Sequence, residues 1–198
     1  MIRLKPKLNG SIHVDFCNLP EGFGSKIFLG AGRIAVKCLA QTNNNQMKNQ
    51  KIQSFNVVGI AVRTTNENGQ AGQDIPALWN NFMTNGIADK ILNKIDDSIY
   101  CIYTDYEKDH TKPYTTILGC KVADLQTIPD GMVGKNFEET NYIKFVAKGD
   151  ISQGIVFNEW TKIWNSNLNR TFTADFEVYG ESAHNPENAE VDIFIAVK

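Results

Sequence analysis

Phe172-Thr-Ala-Asp-Phe-Glu-Val-Tyr179 is the stretch on which the fold turns. Its odd positions are Thr173, Asp175, Glu177 and Tyr179, and its even positions are Phe172, Ala174, Phe176 and Val178. Side chains alternate across a strand, so this spacing predicts a β-strand with one polar and one apolar face. Glu177 and Tyr179 then point the same way. A carboxylate and a phenol on one face suit either bulk water or the lining of a cleft, and alternation alone does not choose.

The flanking sequence supplies a context. Upstream, Thr140–Ala147 reads as a strand carrying Tyr142, Ile143, Phe145 and Val146. Val156, Trp160, Ile163 and Trp164 follow at helical spacing, i, i+4, i+7 and i+8. Downstream, Val191-Asp-Ile-Phe-Ile-Ala-Val197 is a last strand. An earlier stretch shows the same order. Phe55–Val62 is β-branched and apolar; Asp74-Ile-Pro76 reads as a helix start, because Asp caps and Pro is tolerated in a first turn. Ile75, Leu78, Trp79 and Phe82 then share one helix face, and a second short helix is expected over Ala88–Lys94 with Ile87, Ile91, Leu92 and Ile95 inward. Strands Ser98–Tyr106 and Tyr114–Val122 flank a charged hairpin loop, Glu107–Lys112, and Asp124–Gly134 reads as a turn-rich connector.

The chain therefore reads β-α-β-β twice: an α+β class, a duplicated β-α-β-β with two helices on an antiparallel sheet. Each half buries one sheet face under its helix. The expectation is that the remaining faces form the groove, lined by tyrosines and a carboxylate. Glu177, Tyr179, Tyr106, Tyr142, Trp79 and Trp160 are the candidate ligand-binding residues. Tyr103 and Tyr106 have opposite parity, so a regular strand presents only one of them to the cleft, and Tyr106 is preferred. Trp79 and Trp160 sit at core spacing and read as core residues, with the cleft floor as the alternative.

Composition narrows the function. The 198 residues are 42% hydrophobic and 21% charged, with a net charge of −2. That range is ordinary for a globular domain and lacks the basic field that holds a nucleic-acid backbone. The four cysteines form no metal-spaced pair, and Cys101 and Cys120 lie in apolar strands, as reduced core thiols of a cytoplasmic protein do. No apolar run reaches the roughly 18 residues of a membrane span. His13, His110 and His184 lie in polar contexts and read as surface residues; no metal site or cofactor is expected. Residues 1–50 read as an extension outside the domain, closed by the polar run Gln41–Gln46, with Met47 a candidate start. Gly22-Phe-Gly24 and Gly30-Ala-Gly32 lack the spacing of a nucleotide loop.

The order of Val57-Val-Gly59, Ile75-Pro-Ala-Leu-Trp79, Tyr103-Thr-Asp-Tyr106, Ile117-Leu-Gly119, Pro129-Asp-Gly131-Met132, Phe176-Glu-Val-Tyr179 and Asp192-Ile-Phe-Ile-Ala-Val197 resembles the GyrI-like small-molecule-binding domain. That family is also called the bacterial transcription activator effector-binding domain. The resemblance covers roughly residues 51–198. It implies a pseudo-two-fold fold whose cleft binds small organic molecules, often cationic and aromatic, with an acidic residue meeting the cation. On this chain the matching residue is Glu177. It also implies a range of roles: sensing, sequestration or transcriptional regulation, hydrolysis of reactive electrophiles with Glu177 as the catalytic acid–base group, or regulation of a partner protein. Residues 1–46 lack the two amphipathic helices of a helix-turn-helix, so a stand-alone binding module without direct DNA contact is expected.

Overall fold

The structure, a computed structural model, describes residues 49–198 in full and the backbone of Leu4–Pro6 (β1) and Ile12–Val14 (β2). Two compact units are present, Met1–Asn44 and Asn45–Lys198. In the first, β1 and β2 pair antiparallel. The expectations for Gln41–Gln46, Met47, the glycine turns, Cys17 and Cys38 fall outside the described residues, as does the side chain of His13.

The second unit is one eight-stranded antiparallel sheet. Its strands are β3 (Asn49–Ile52), β4 (Phe55–Thr64), β5 (Ile99–Thr104), β6 (Tyr114–Val122), β7 (Val133–Phe137), β8 (Thr140–Gly149), β9 (Ala174–Tyr179) and β10 (Ala189–Val197). Spatially they run β3-β8-β10-β9-β5-β6-β4-β7. β9 and β5 lie side by side at the centre. Outward from them come β10 and β8 on one side, β6 and β4 on the other. The two β-α-β-β halves are thus related by a pseudo-two-fold through the β5/β9 pair.

The edges add what alternation did not reveal. β3 precedes the first half in the chain yet pairs with β8 of the second, Asn49 opposite Ile143. β7 precedes the second half yet pairs with β4 of the first, Phe137 opposite Phe55. Each repeat is therefore β-β-α-β-β, with its leading strand exchanged for that of the other. Both edge strands are short and largely polar, so the connector Asp124–Gly134 gave no sign of running into one.

Helix α1 spans Ala71–Thr84, α2 Ile87–Lys90 and α3 Ile155–Trp164. α1 starts earlier than Asp74-Ile-Pro76 suggested. Asp74 does not cap it; its Oδ2 accepts from Thr64 Oγ1 at 2.7 Å and Gln70 Nε2 at 2.9 Å, tying the helix to the end of β4. Pro76 consequently lies inside α1, where it has no N–H to give the Gly72 carbonyl. α2 stops at Lys90 and the chain turns extended at Ile91. Helical spacing ends there, which leaves Leu92 54% and Ile95 58% exposed rather than inward.

Both helices cover the same sheet face. Leu78 and Phe82 of α1 pack on Val58, Leu118 and Cys120, and Trp160 and Ile163 of α3 pack on Val191, Ile193 and Ile195. The opposite face carries no helix. It is filled by aromatics, among them Phe55, Tyr100, Phe137, Tyr142 and Phe176. Lys121, Lys135 and Lys144 lay their ammonium groups over Phe55, Phe137 and Phe194, so their stems shield that face. Gly59 and Gly119 oppose each other across β4 and β6. A Cβ on Gly59 would sit 2.2 Å from the Leu118 carbonyl oxygen, so only glycine permits this approach of the two strands as the sheet curls.

Candidate functional site

α1 packs over β4 and β6, and α3 over β8. Neither covers the central β5/β9 pair. The gap between the helices above that pair is a cleft of about 340 Å³. This corrects one expectation from the sequence. The groove lies on the helix-bearing face, not on the bare faces, because two helices seated over outer strands cannot close over the middle. The bare face instead closes on its own aromatics.

The alternation of β9 places its side chains accordingly. Phe176 goes to the aromatic face, while Glu177 and Tyr179 rise into the cleft. Glu177 is 2% exposed. Its Oε1 accepts from Tyr103 Oη at 2.7 Å and from Trp160 Nε1 at 2.6 Å, and its Oε2 accepts from Tyr179 Oη at 2.7 Å. Among the described residues no Lys, Arg or His forms an ion pair with it. Burial pushes the Glu177 carboxyl above the ordinary carboxylate range, and the bonds from Trp160, Tyr103 and Tyr179 pull it partly back. Burial drives the Tyr103 and Tyr179 phenols up, so both stay neutral donors; Cys101 and then Glu177 add to the rise of Tyr103, and Glu177 and then Cys101 to that of Tyr179.

Trp79 of α1 meets Tyr179 edge-on, with ring centroids 4.8 Å apart, and Trp160 of α3 meets Tyr103 edge-on at 5.1 Å. The two tryptophans are thus core and wall at once. Each fixes one phenol that holds Glu177. Tyr106 also lines the cleft, and so does Tyr103, against the parity argument. β5 ends at Thr104, and Asp105 takes a left-handed backbone, φ 50°, which returns Tyr106 to the face that Tyr103 already uses. Tyr142 is not in the cleft. Its even parity on β8 sends it to the aromatic face, 1% exposed against Phe176 and Phe194.

Several lining residues escaped the sequence reading. His110, expected on the surface, lines the cleft and stacks nearly parallel on Trp164, 5.6 Å between centroids. Partial burial and then the Arg170 charge lower its pKa. Its loop sequence carried no signal of this; His184 is exposed, as expected. Asn66 joins the same end of the cleft, donating to the His110 carbonyl and accepting from Tyr114 Oη, both at 2.8 Å. Asp175, next to Glu177 on the polar face of β9, is also fully buried. It pairs with Arg170 at 2.6 Å, accepts from Tyr106 Oη at 2.9 Å and accepts from the Ala196 amide at 2.8 Å.

Little here supports nucleophile or metal chemistry. Cys101 faces Glu177 across the β5/β9 ladder, and burial, then Glu177, push its thiol well up, away from thiolate. Among the described residues, no group of three or more His, Cys, Asp or Glu is placed to hold a metal ion, and no helix is long and apolar enough to cross a membrane.

A buried acid ringed by phenols and indoles, on a two-fold sheet, invites comparison with known proteins. The family model described as integron-associated effector binding protein matches residues 50–197. The chain belongs to that family. This agrees with the effector-binding resemblance of residues 51–198. Among solved structures, the integron cassette protein VCH_CASS2 from the mobile metagenome of Vibrio cholerae is 34% identical to this effector-binding chain. That match covers 76% of this chain and 95% of the cassette protein, with a TM-score of 0.60. YobU of Bacillus subtilis (strain 168), a candidate transcriptional regulator, is 29% identical over 145 residues, 71% of this chain and 90% of YobU. The structure of SAV2435 bound to tetraphenylphosphonium shares the fold, with a TM-score of 0.64 at 19% identity over 76% of this chain and 93% of that one.

Proposed function

We propose that this effector-binding domain captures bulky aromatic cations in the cleft, with Glu177 as counter-charge, and that the capture serves sensing or sequestration in the cytoplasm. One observation carries the reading. Glu177 is buried, hydrogen-bonded by neutral donors and matched by no cation among the described residues. A buried carboxylate without a cation is costly, and a ligand cation relieves that cost. At an effective dielectric near 20 and about 4 Å, such a pair gains about 4 kcal/mol before desolvation. Each aromatic wall face adds about 0.5–2 kcal/mol of cation–π attraction. The cavity volume falls in the range of small-molecule sites. A fold relative that is bound to tetraphenylphosphonium supports the ligand class, and a regulator-like relative supports a signalling use, either of this chain alone or through a protein partner.

Calorimetry with tetraphenylphosphonium and with tetraphenylborate, equal in shape and opposite in charge, tests the reading. The cation is expected to bind and the anion to bind far more weakly. Equal affinity for the two would remove Glu177 from its role.

The raised pKa of Glu177 beside the Tyr179 hydroxyl also suits a general base with an adjacent hydrogen-bond donor, which favours hydrolysis of electrophilic small molecules as a second reading. Mass spectrometry that recovers every candidate electrophile intact after long incubation discards it.

A further inference from the structure

Large apolar side chains exposed on this domain include Met83, Leu92, Ile95, Ile128, Val133 and Phe157. Phe157 is the most exposed of these, at 65%, and among them it alone lines the cleft. A residue that is both open to solvent and part of a cavity wall stands at the mouth. Its place is set by the backbone. Gly154, in the left-handed region at φ 71°, turns the chain from a short 3-10 turn into α3, which puts Phe157 in the first turn of that helix. Its ring meets Trp164 edge-on at 6.0 Å, and most of its surface stays open to solvent. Across the mouth stand Gly72 and Pro76 of α1, both exposed and both lining the cleft. Glycine and proline offer no long side chain there, so that side of the mouth is low and the Phe157 side is high.

We infer that Phe157 is the specificity-determining lip of the cleft: it selects cations that carry an aromatic arm long enough to reach from Glu177 to the mouth, and the arm covers the exposed ring. The inference deepens the proposed capture of aromatic cations and rests on it. A ring held at the rim adds contact only to ligands that fill the cavity outward. A compact cation bound at Glu177 gains nothing from it.

The test compares tetraphenylphosphonium, tetraphenylborate and phenyltrimethylammonium on the intact chain and on Phe157→Ala, Phe157→Trp, Glu177→Gln and Met83→Ala. Phe157 is a surface side chain, so its removal leaves the fold in place; matching thermal melts check this. Phe157→Ala is expected to weaken tetraphenylphosphonium about tenfold, which corresponds to about 1.4 kcal/mol. The same variant is expected to leave phenyltrimethylammonium within about twofold. Phe157→Trp should restore the large cation, and Met83→Ala, exposed but away from the cleft, should leave both unchanged. Tetraphenylphosphonium binding to Phe157→Ala within about twofold of the parent overturns the lip. If Phe157→Ala weakens tetraphenylphosphonium and tetraphenylborate alike while Glu177→Gln affects neither, the charge reading falls and the lip's selection of cations falls with it. If the parent chain binds neither large ion, both fall.

Discussion

Two carboxylates sit two residues apart on the same face of β9, and the protein treats them differently. Asp175 is 0% exposed and Glu177 2%. Asp175 faces Arg170, whose side chain is 5% exposed, and the charge is closed within the protein. Glu177 faces two phenols and an indole, all neutral donors. The first arrangement is structural: the ion pair and the bond from the Ala196 amide fasten the segment before β9 to the last strand. The second leaves a carboxyl group at the floor of a cavity with no cation beside it among the described residues. Burial alone therefore does not mark a binding acid. On the proposed function, what marks it is burial with hydrogen bonds satisfied and no cation beside it among the described residues.

The sharpest way to break this comparison is to neutralise each acid in turn. Asp175→Asn strands the Arg170 guanidinium and is expected to cost about 3–5 kcal/mol of folding stability, read by denaturant titration. A loss under about 1 kcal/mol would mean that the pair is not structural. Glu177→Gln should do the reverse. Its stability is expected to stay near that of the parent, while tetraphenylphosphonium binding falls about a hundredfold, about 2.7 kcal/mol by calorimetry.

Proton linkage gives a second handle on Glu177. The folded-state pKa of Glu177 is raised, so the folded protein holds a proton that the unfolded chain has released. Ligand-free stability should then fall as pH rises from the ordinary carboxylate value, about 4.3, through the folded pKa of Glu177, and level off above it. Cation affinity should climb over the same window. His110 acts in the same direction on binding, because its lowered pKa keeps it uncharged at neutral pH and acid adds a repelling charge to the cleft wall. In Glu177→Gln this falling contribution to the stability slope should be lost; a slope that persists unchanged would assign the proton elsewhere.

Smaller changes refine the Glu177 side. Trp160→Phe removes one of its three donors, raises the carboxyl further and should shift the midpoint of the affinity profile to higher pH. Tyr142→Phe, on the other sheet face, should change cation affinity by less than about twofold, since no cleft contact is lost.

How much of this was legible in the sequence follows the same physics. Strict alternation in β9 was enough to put Glu177 and Tyr179 on one face, and helical spacing was enough to place Trp79 and Trp160 on inward faces. Neither pattern can say which sheet face the helices take, so the groove was expected on the wrong side and Tyr142 went with it. The parity argument separated Tyr103 from Tyr106 because it assumed a regular strand, and one left-handed residue, Asp105, undoes it. His110 was invisible because a polar loop reads the same whether its histidine faces water or stacks on Trp164. Asp175 and Glu177 look alike in the sequence, since the partner that tells them apart, Arg170, sits in an irregular segment.

The exchanged edge strands bear on how this cleft can move. With β3 hydrogen-bonded to the second half and β7 to the first, the halves are laced together at both margins as well as at the β5/β9 seam. A hinge that swung one half from the other would have to break the β5/β9 ladder and stretch the short connectors that lead from β3 to β4 and from β7 to β8. The floor that carries Glu177 therefore behaves as a stiff plate, and opening for a ligand falls to the helix starts and loops around the rim. Such lacing also joins distant parts of the chain late in folding, which favours slow, all-or-none assembly over a stepwise build of one repeat and then the other.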